Sequence, residues 1–387
     1  MTESEVRVCI TGVGAVSPFG RTANDLWAGL AAGRSAIVPI ASFDASDLAC
    51  RIGGEIRDYQ PREDIDPEAA AAMDRRALLA ADAAIQALVE AAVPINAETV
   101  SQIGVIAGTE MPEDSIATAA TLARTVGAAG PVMHLSNGAA GGLMAVGEGA
   151  EWIRREDCSI VLAGGAEAPV TREAFAHFEQ RGMLTRNNAM PEAAVRPWDG
   201  DRDGFALSEG AAFVVLESEE QAVRRGAHIL AYVDGYGATF SRAAVAHAAA
   251  NAYDAGRAMQ SALIKWDLTL QGEVDVIFGS AGGGAIDCVE GQAIRRVWGP
   301  NTDRLWVTSI KGALGHTLGA SGAFSLIAAI FALQAGLIPP TLNLERQDAD
   351  CGELEIVTGD VRRLQGTKAL VNAIGLGHNA SVIISRP

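Results

Sequence analysis

Two apolar runs far apart in the chain lead into the same four-residue pattern, and this repetition limits the fold more than any other feature. Residues 6–10 run into Gly12-Val13-Gly14-Ala15, and residues 231–237 carry Gly235-Tyr236-Gly237-Ala238 in the same setting. Each reads as a buried strand closed by a tight glycine turn. Strands and helices then alternate. Apolar residues at helical spacing mark 25–32, 73–92, 142–155 and 321–335; short apolar runs mark strands at 103–107, 159–163, 211–217, 274–278, 368–373 and 380–385. A repeated opening with the same alternation after it predicts two similar α/β halves, 1–230 and 231–387, packed together without a low-complexity linker.

Composition agrees. The 387 residues are 49% apolar but only 5% aromatic, with 43 glycines, as suits layered strands and helices joined by tight turns. A net charge of −17 without a Lys/Arg cluster argues against a nucleic-acid partner. Basic surface for an acidic protein partner has to be local or come from a second subunit. The five cysteines (Cys9, Cys50, Cys158, Cys288 and Cys351) form no CxxC pair and no metal-ligand spacing. They are expected to be reduced thiols in a cytoplasmic protein, with no metal or cofactor bound. The opening MTESEVRVCITG lacks the pattern of a signal peptide. The longest apolar run, 324–338, is interrupted by Gln334 and is expected to be a buried helix, leaving no membrane partner.

The most specific segment is Ser309-Ile310-Lys311-Gly312-Ala313-Leu314-Gly315-His316-Thr317-Leu318-Gly319-Ala320. It resembles the lysine–histidine signature of the β-ketoacyl synthases. Three further segments fall in the order of that family: Leu162-Ala163-Gly164-Gly165-Ala166-Glu167, Arg196-Pro197-Trp198-Asp199 with the loop to Glu209-Gly210, and Asn372-Ala373-Ile374-Gly375-Leu376-Gly377-His378-Asn379. The resemblance spans essentially the whole chain. It implies a thiolase-like fold, duplicated halves in five layers, α-β-α-β-α.

That family's chemistry requires a Cys at a helix N-terminus, where the helix dipole favours the thiolate, and two His donors that hold a thioester carbonyl. Here the helix opens Ser136-Asn137-Gly138-Ala139-Ala140-Gly141-Gly142-Leu143, and Ala139 takes the nucleophile slot. A methyl group cannot attack a thioester. Ser280, in Gly279-Ser280-Ala281-Gly282-Gly283-Gly284, stands in the slot of the first His; the second survives as His316, with Lys311 before it. Ser325 replaces a Glu that active members carry. Cys158, next to a buried strand, reads as core.

The pattern resembles the chain-length factors of type II polyketide systems. It implies a subunit without condensing activity of its own that forms a heterodimer with an active ketosynthase and shapes an acyl tunnel. An acyl carrier protein is then met mainly through the partner. The resemblance places the interface strand at 131–135, with Met111, Ile116, Met133 and His134 as tunnel or interface residues. Gly375, Leu376, Gly377 and His378 form the glycine loop. Two departures stand out: Ala139 replaces the Gln common in that slot, and 108–139 is shorter than the family norm. The alternative function is a malonyl-carrier-protein decarboxylase supplying starter units, which still needs donors for an enolate oxygen. Lys311 and His316 either hold their loop by hydrogen bonds or bind a thioester carbonyl or carrier arm. The glycines at 279–284 lack the G-K-[ST] of a phosphate loop, and the Asp199, Asp201 and Asp203 run reads as a structural turn rather than a calcium loop.

Overall fold

A computed structural model describes residues 6–111, 118–242, 248–264, 273–375 and 377–387. These build one mixed sheet whose strands are β1 (Val8–Val16), β2 (Ile103–Thr109), β3 (Val132–Ser136), β4 (Ile160–Glu167), β5 (Gly210–Ser218), β6 (Ala231–Phe240), β7 (Val276–Phe278), β8 (Trp306–Thr308), β9 (Glu355–Ile356), β10 (Lys368–Ile374) and β11 (His378–Ser385). The strand order is β9-β8-β7-β10-β11-β6-β1-β5-β4-β2-β3. The same arrangement occurs on both sides of the β1–β6 junction. β2 is parallel to β3 and β4, and β5 is antiparallel to β4 and β1. Correspondingly, β7 is parallel to β8 and β10, and β11 is antiparallel to β10 and β6. The junction is short: Val8, Cys9 and Ile10 pair with Val233, Tyr232 and Ala231.

The helices that matter are α1 (Arg75–Glu90), α2 (Gly141–Arg154), α3 (Ala248–Ile264), α4 (Ile286–Trp298) and α5 (Ser321–Ala335). α1 covers the outer face of β1, β4 and β5, and α3, backed by α4, covers β6 and β11. Between the two halves lie α2 and α5, which touch each other and strands of both halves. The order is therefore helix, sheet, helix, sheet, helix, as the sequence led us to expect. α5, with the turn before it, is apolar enough over Leu318–Ala335 to cross a membrane, but most of it is buried inside the protein. Burial on both faces explains why its sequence has no polar stripe.

The repeated glycines have a different role from the turns expected of them. Gly12 and Gly14 lie inside β1, and Gly235 and Gly237 inside β6. A Cβ on Gly12 or Gly14 would come within 2.1 Å and 2.0 Å of the Ala87 and Ala83 carbonyls of α1; on Gly235 or Gly237 it would meet Ala262 and Ala258 of α3 at 2.1 Å and 2.2 Å. The pattern is the footprint of a helix lying directly on a strand, and the alanines below complete it. The cysteines also depart from expectation. Cys288 on α4 and Cys351 in the turn Ala349–Cys351 form a disulfide across 63 residues, while Cys9, Cys50 and Cys158 are free and buried. The turn packs so closely on α4 that a Cβ on Gly291 would lie 2.0 Å from the Cys351 carbonyl. Spacing alone carries no information about such a distant pair.

The loop around Asp199 is structural. Its carboxylate is fully buried and accepts from the backbone N–H groups of Glu345 at 2.8 Å, Arg346 at 3.0 Å and Asp201 at 2.8 Å, and from Arg196 Nε at 3.1 Å. Burial opposes its ionisation, but these donors outweigh burial and hold its pKa down to about 2. Asp199→Ala is expected to cost about 2 kcal/mol in denaturant unfolding, because four partly buried donors lose their acceptor. Asp201→Ala, whose side chain is exposed, is expected to change stability by less than about 0.5 kcal/mol.

Candidate functional site

The site lies where the entries to α2 and α5 meet. After β3 the chain passes Asn137 and turns at Gly138, whose φ of 58° suits glycine. The short turn Gly138–Ala140 then opens α2. Ala139 is 3% exposed and lines a cavity of about 670 Å³ together with Glu110, Ser280, His316 and Gly375. Gly375 comes so close that a Cβ there would sit 2.7 Å from the Ala139 nitrogen. Ala139, the residue expected in the nucleophile slot, thus lies at a helix start beside the cavity and offers it a methyl group.

The turn after β7 is fastened to α4 by two buried carboxylates. Glu290 accepts from the N–H groups of Ser280 and Ala281, each at 2.8 Å, and from Asn372 Nδ2 at 3.0 Å. Asp287 accepts from the N–H groups of Gly282, Gly283 and Trp198 at 2.9, 3.0 and 2.7 Å. The N–H groups that a phosphate loop would offer to a nucleotide are thus already satisfied from within. Burial raises the pKa of both acids against these donors.

The Ser280 hydroxyl is engaged within the wall. It accepts from the Ile374 N–H at 3.0 Å, lies 3.2 Å from Lys311 Nζ and has the Ile374 carbonyl as acceptor at 3.3 Å. A serine has a single hydroxyl proton, and that carbonyl engages it. Lys311 Nζ also donates to the Ser280 carbonyl. Burial pushes the Lys311 ammonium down to about 8, while Glu290, Asp287 and Glu110 act the other way. Lys311 therefore ties down the Ser280 turn.

His316 is better disposed toward the cavity. Its Nδ1 accepts from the Leu318 N–H at 3.0 Å and lies 3.1 Å from Ser321 Oγ. Burial and the Lys311 charge hold its pKa well below the usual histidine range. A neutral ring accepting at Nδ1 carries its proton on Nε2. The ring packs against Phe205, with centroids 4.7 Å apart, which fixes its plane. His316 thus keeps one oriented N–H donor.

Sequence reading missed Glu110. It follows β2 directly, at the carboxyl end of a strand buried between parallel neighbours, where acidic residues need a reason to be. Its N–H and that of Met111 donate to Glu167 Oε1, the latter at 3.1 Å. Glu110 borders the cavity, and its Oε2 is buried and has no hydrogen-bond partner among the described residues. Burial raises its pKa to about 7, with Lys311 opposing; burial likewise takes Glu167 to about 8.

The expected tunnel and interface residues are dispersed. Met111 packs beside Leu318 in the apolar cluster near the cavity. Met133 and His134 lie on β3 and point to opposite faces. Met133 packs against the central core, and a His134 ring nitrogen lies 3.3 Å from Thr109 Oγ1. Ile116 and Leu376 fall outside the described residues. Of the glycine loop, Gly375 borders Ala139, Gly377 has a φ of 89°, and His378 Nδ1 lies 3.1 Å from Asn137 Nδ2. Burial lowers the pKa of His378.

Comparison with known proteins matches this geometry. The model of the beta-ketoacyl synthase N-terminal domain matches residues 5–120 and 112–222, and that of the beta-ketoacyl synthase C-terminal domain matches 230–345. The chain is 34% identical to 3-oxoacyl-[acyl-carrier-protein] synthase 2 of Synechocystis sp., with 98% of each chain covered. It is 32% identical to the granaticin polyketide putative beta-ketoacyl synthase 1 of Streptomyces violaceoruber, again over 98% of each. Among solved structures, the ishigamide ketosynthase/chain length factor superposes with a TM-score of 0.90 at 30% identity, covering 99% of this chain and 100% of that one. Alike in sequence and structure along nearly its whole length, the chain belongs to the beta-ketoacyl synthase family.

Proposed function

We propose that this chain is a non-condensing subunit that pairs with an active ketosynthase in the cytoplasm and shapes its acyl tunnel, as a chain-length factor does in type II polyketide or polyene biosynthesis. The observation that carries this reading is Ala139: a buried methyl at the start of α2, lining the cavity beside Ser280 and His316. The likeness to the ishigamide ketosynthase/chain length factor points the same way. The cavity itself is read as a thioester site that has lost its nucleophile. The decarboxylase alternative is weaker, because the Ser280 hydroxyl is committed to Ile374 and leaves His316 as the donor to an enolate oxygen.

A partner is also favoured by β3. It ends the sheet, pairs on one side with β2, and leaves Val132 45% exposed. An unpaired apolar edge invites pairing with another chain. In a heterodimer the carrier protein would dock mainly on the partner, whose Cys receives the acyl group.

Three outcomes test this. Co-expressed with a Cys–His–His synthase from its own gene neighbourhood, the chain should co-purify as a heterodimer. Intact mass should then show acyl adducts on the partner alone; an adduct mapped to the Ala139 pocket overturns the reading. Ala139→Cys by itself should not give condensation, since Ser280 still supplies no imidazole. For the interface, Met133→Asp and the more exposed Val132→Asp should each weaken co-purification at least about tenfold, a loss of about 1.4 kcal/mol. If both variants fold, assemble and support synthesis normally, the interface lies elsewhere. For the tunnel, Met111→Trp should shorten the products while partner acylation stays near normal; an unchanged product distribution removes Met111 from the tunnel wall.

A further inference from the structure

We infer that Glu110 and His316 form a proton-transfer site for the α-carbon of an acyl thioester held in this cavity, an activity separate from condensation. The inference rests on the proposed reading of the cavity as a thioester site. What carries it further is Glu110, which lines the same cavity as Ala139, Ser280 and His316 and keeps a buried carboxyl oxygen without a hydrogen-bond partner among the described residues. Buried polar atoms are normally satisfied, and an unsatisfied one in a residue that borders a cavity calls for a functional reason. The backbone that carries it is well anchored: its own N–H and the next are tied to Glu167.

The two groups complement each other. A thioester whose carbonyl oxygen accepts from His316 Nε2–H has an acidified α-carbon. Glu110 as carboxylate takes the α-hydrogen as a proton. The C–H pair becomes the enolate double bond, and the carbonyl π pair moves to the oxygen held by His316. Returning the proton restores the thioester, so nothing is consumed and no co-reactant is needed. In this chain Ala139 cannot remove the acyl group from its carrier, so the substrate stays a thioester throughout. Burial brings Glu110 to about 7, against the pull of Lys311, which places a base near working pH.

The test uses the full chain with hexanoyl-pantetheine in D2O. Binding is read by saturation-transfer NMR and α-deuterium uptake by mass spectrometry. Uptake above the protein-free control is expected. Glu110→Gln should cut it at least about 100-fold with binding retained, and Glu110→Asp should keep part of it. Uptake should rise from about pH 5.5 to about pH 8.5, because the ionised carboxyl is the base. The charged groups facing it are Lys311 and the Glu167–Arg76 pair; His316 stays neutral across this range. Binding without uptake, or uptake unchanged in Glu110→Gln, overturns the proton-transfer site and leaves the thioester reading standing. Absence of binding overturns both.

Discussion

α2 and α5 enter the protein interior the same way, and the site follows from that. Each begins with a short tight turn, Gly138–Ala140 or Leu318–Ala320, and neither has a capping side chain. The two turns touch. Buried helix starts carry N–H groups with no intrahelical acceptor, and together they present partial positive charge. Two such ends converging at one place make the cavity beside them receptive to oxygen-rich, partly negative ligands. The sheets on both sides keep water from screening the effect, so the central helices both hold the core together and set the electrostatics of the site.

The layered architecture was legible because its cause is periodic. Alternating strands and helices with a repeated opening admit few folds, and a helix as uniformly apolar as α5 has to be enclosed. The role of the repeated glycines was not legible, since a glycine needed for a turn and one needed beneath a helix look alike until the alanines of α1 and α3 are placed over Gly12, Gly14, Gly235 and Gly237. The Cys288–Cys351 pair was hidden for a related reason: contact across the fold leaves no local trace. Glu110 was missed because it belongs to no motif. Its signal was the oddity of a carboxylate directly after a strand with no polar residue from Val105 to Gly108.

The polar network around Ser280 is complete. The two carboxylates of α4, the Lys311 ammonium and the bonds around Ser280 are all satisfied. Ala139 places a methyl group at the start of α2, where it offers no attacking atom, and the Ser280 hydroxyl is a strut within the wall. A fully bonded buried network of this kind rigidifies the wall it belongs to.

The pairing of β1 also bears on how the chain is made. β1 has its two neighbours at Gly210–Ser218 and Ala231–Phe240, far later in the sequence. At ordinary rates of synthesis it stays unpaired on the order of tens of seconds. Throughout that time an apolar segment with both edges open is carried on a nascent chain, which makes β1 a natural point of chaperone engagement and of aggregation when expression is fast. Its longer pairing, with β5, forms once the N-terminal half is complete, and the short one, with β6, only once the C-terminal half has begun.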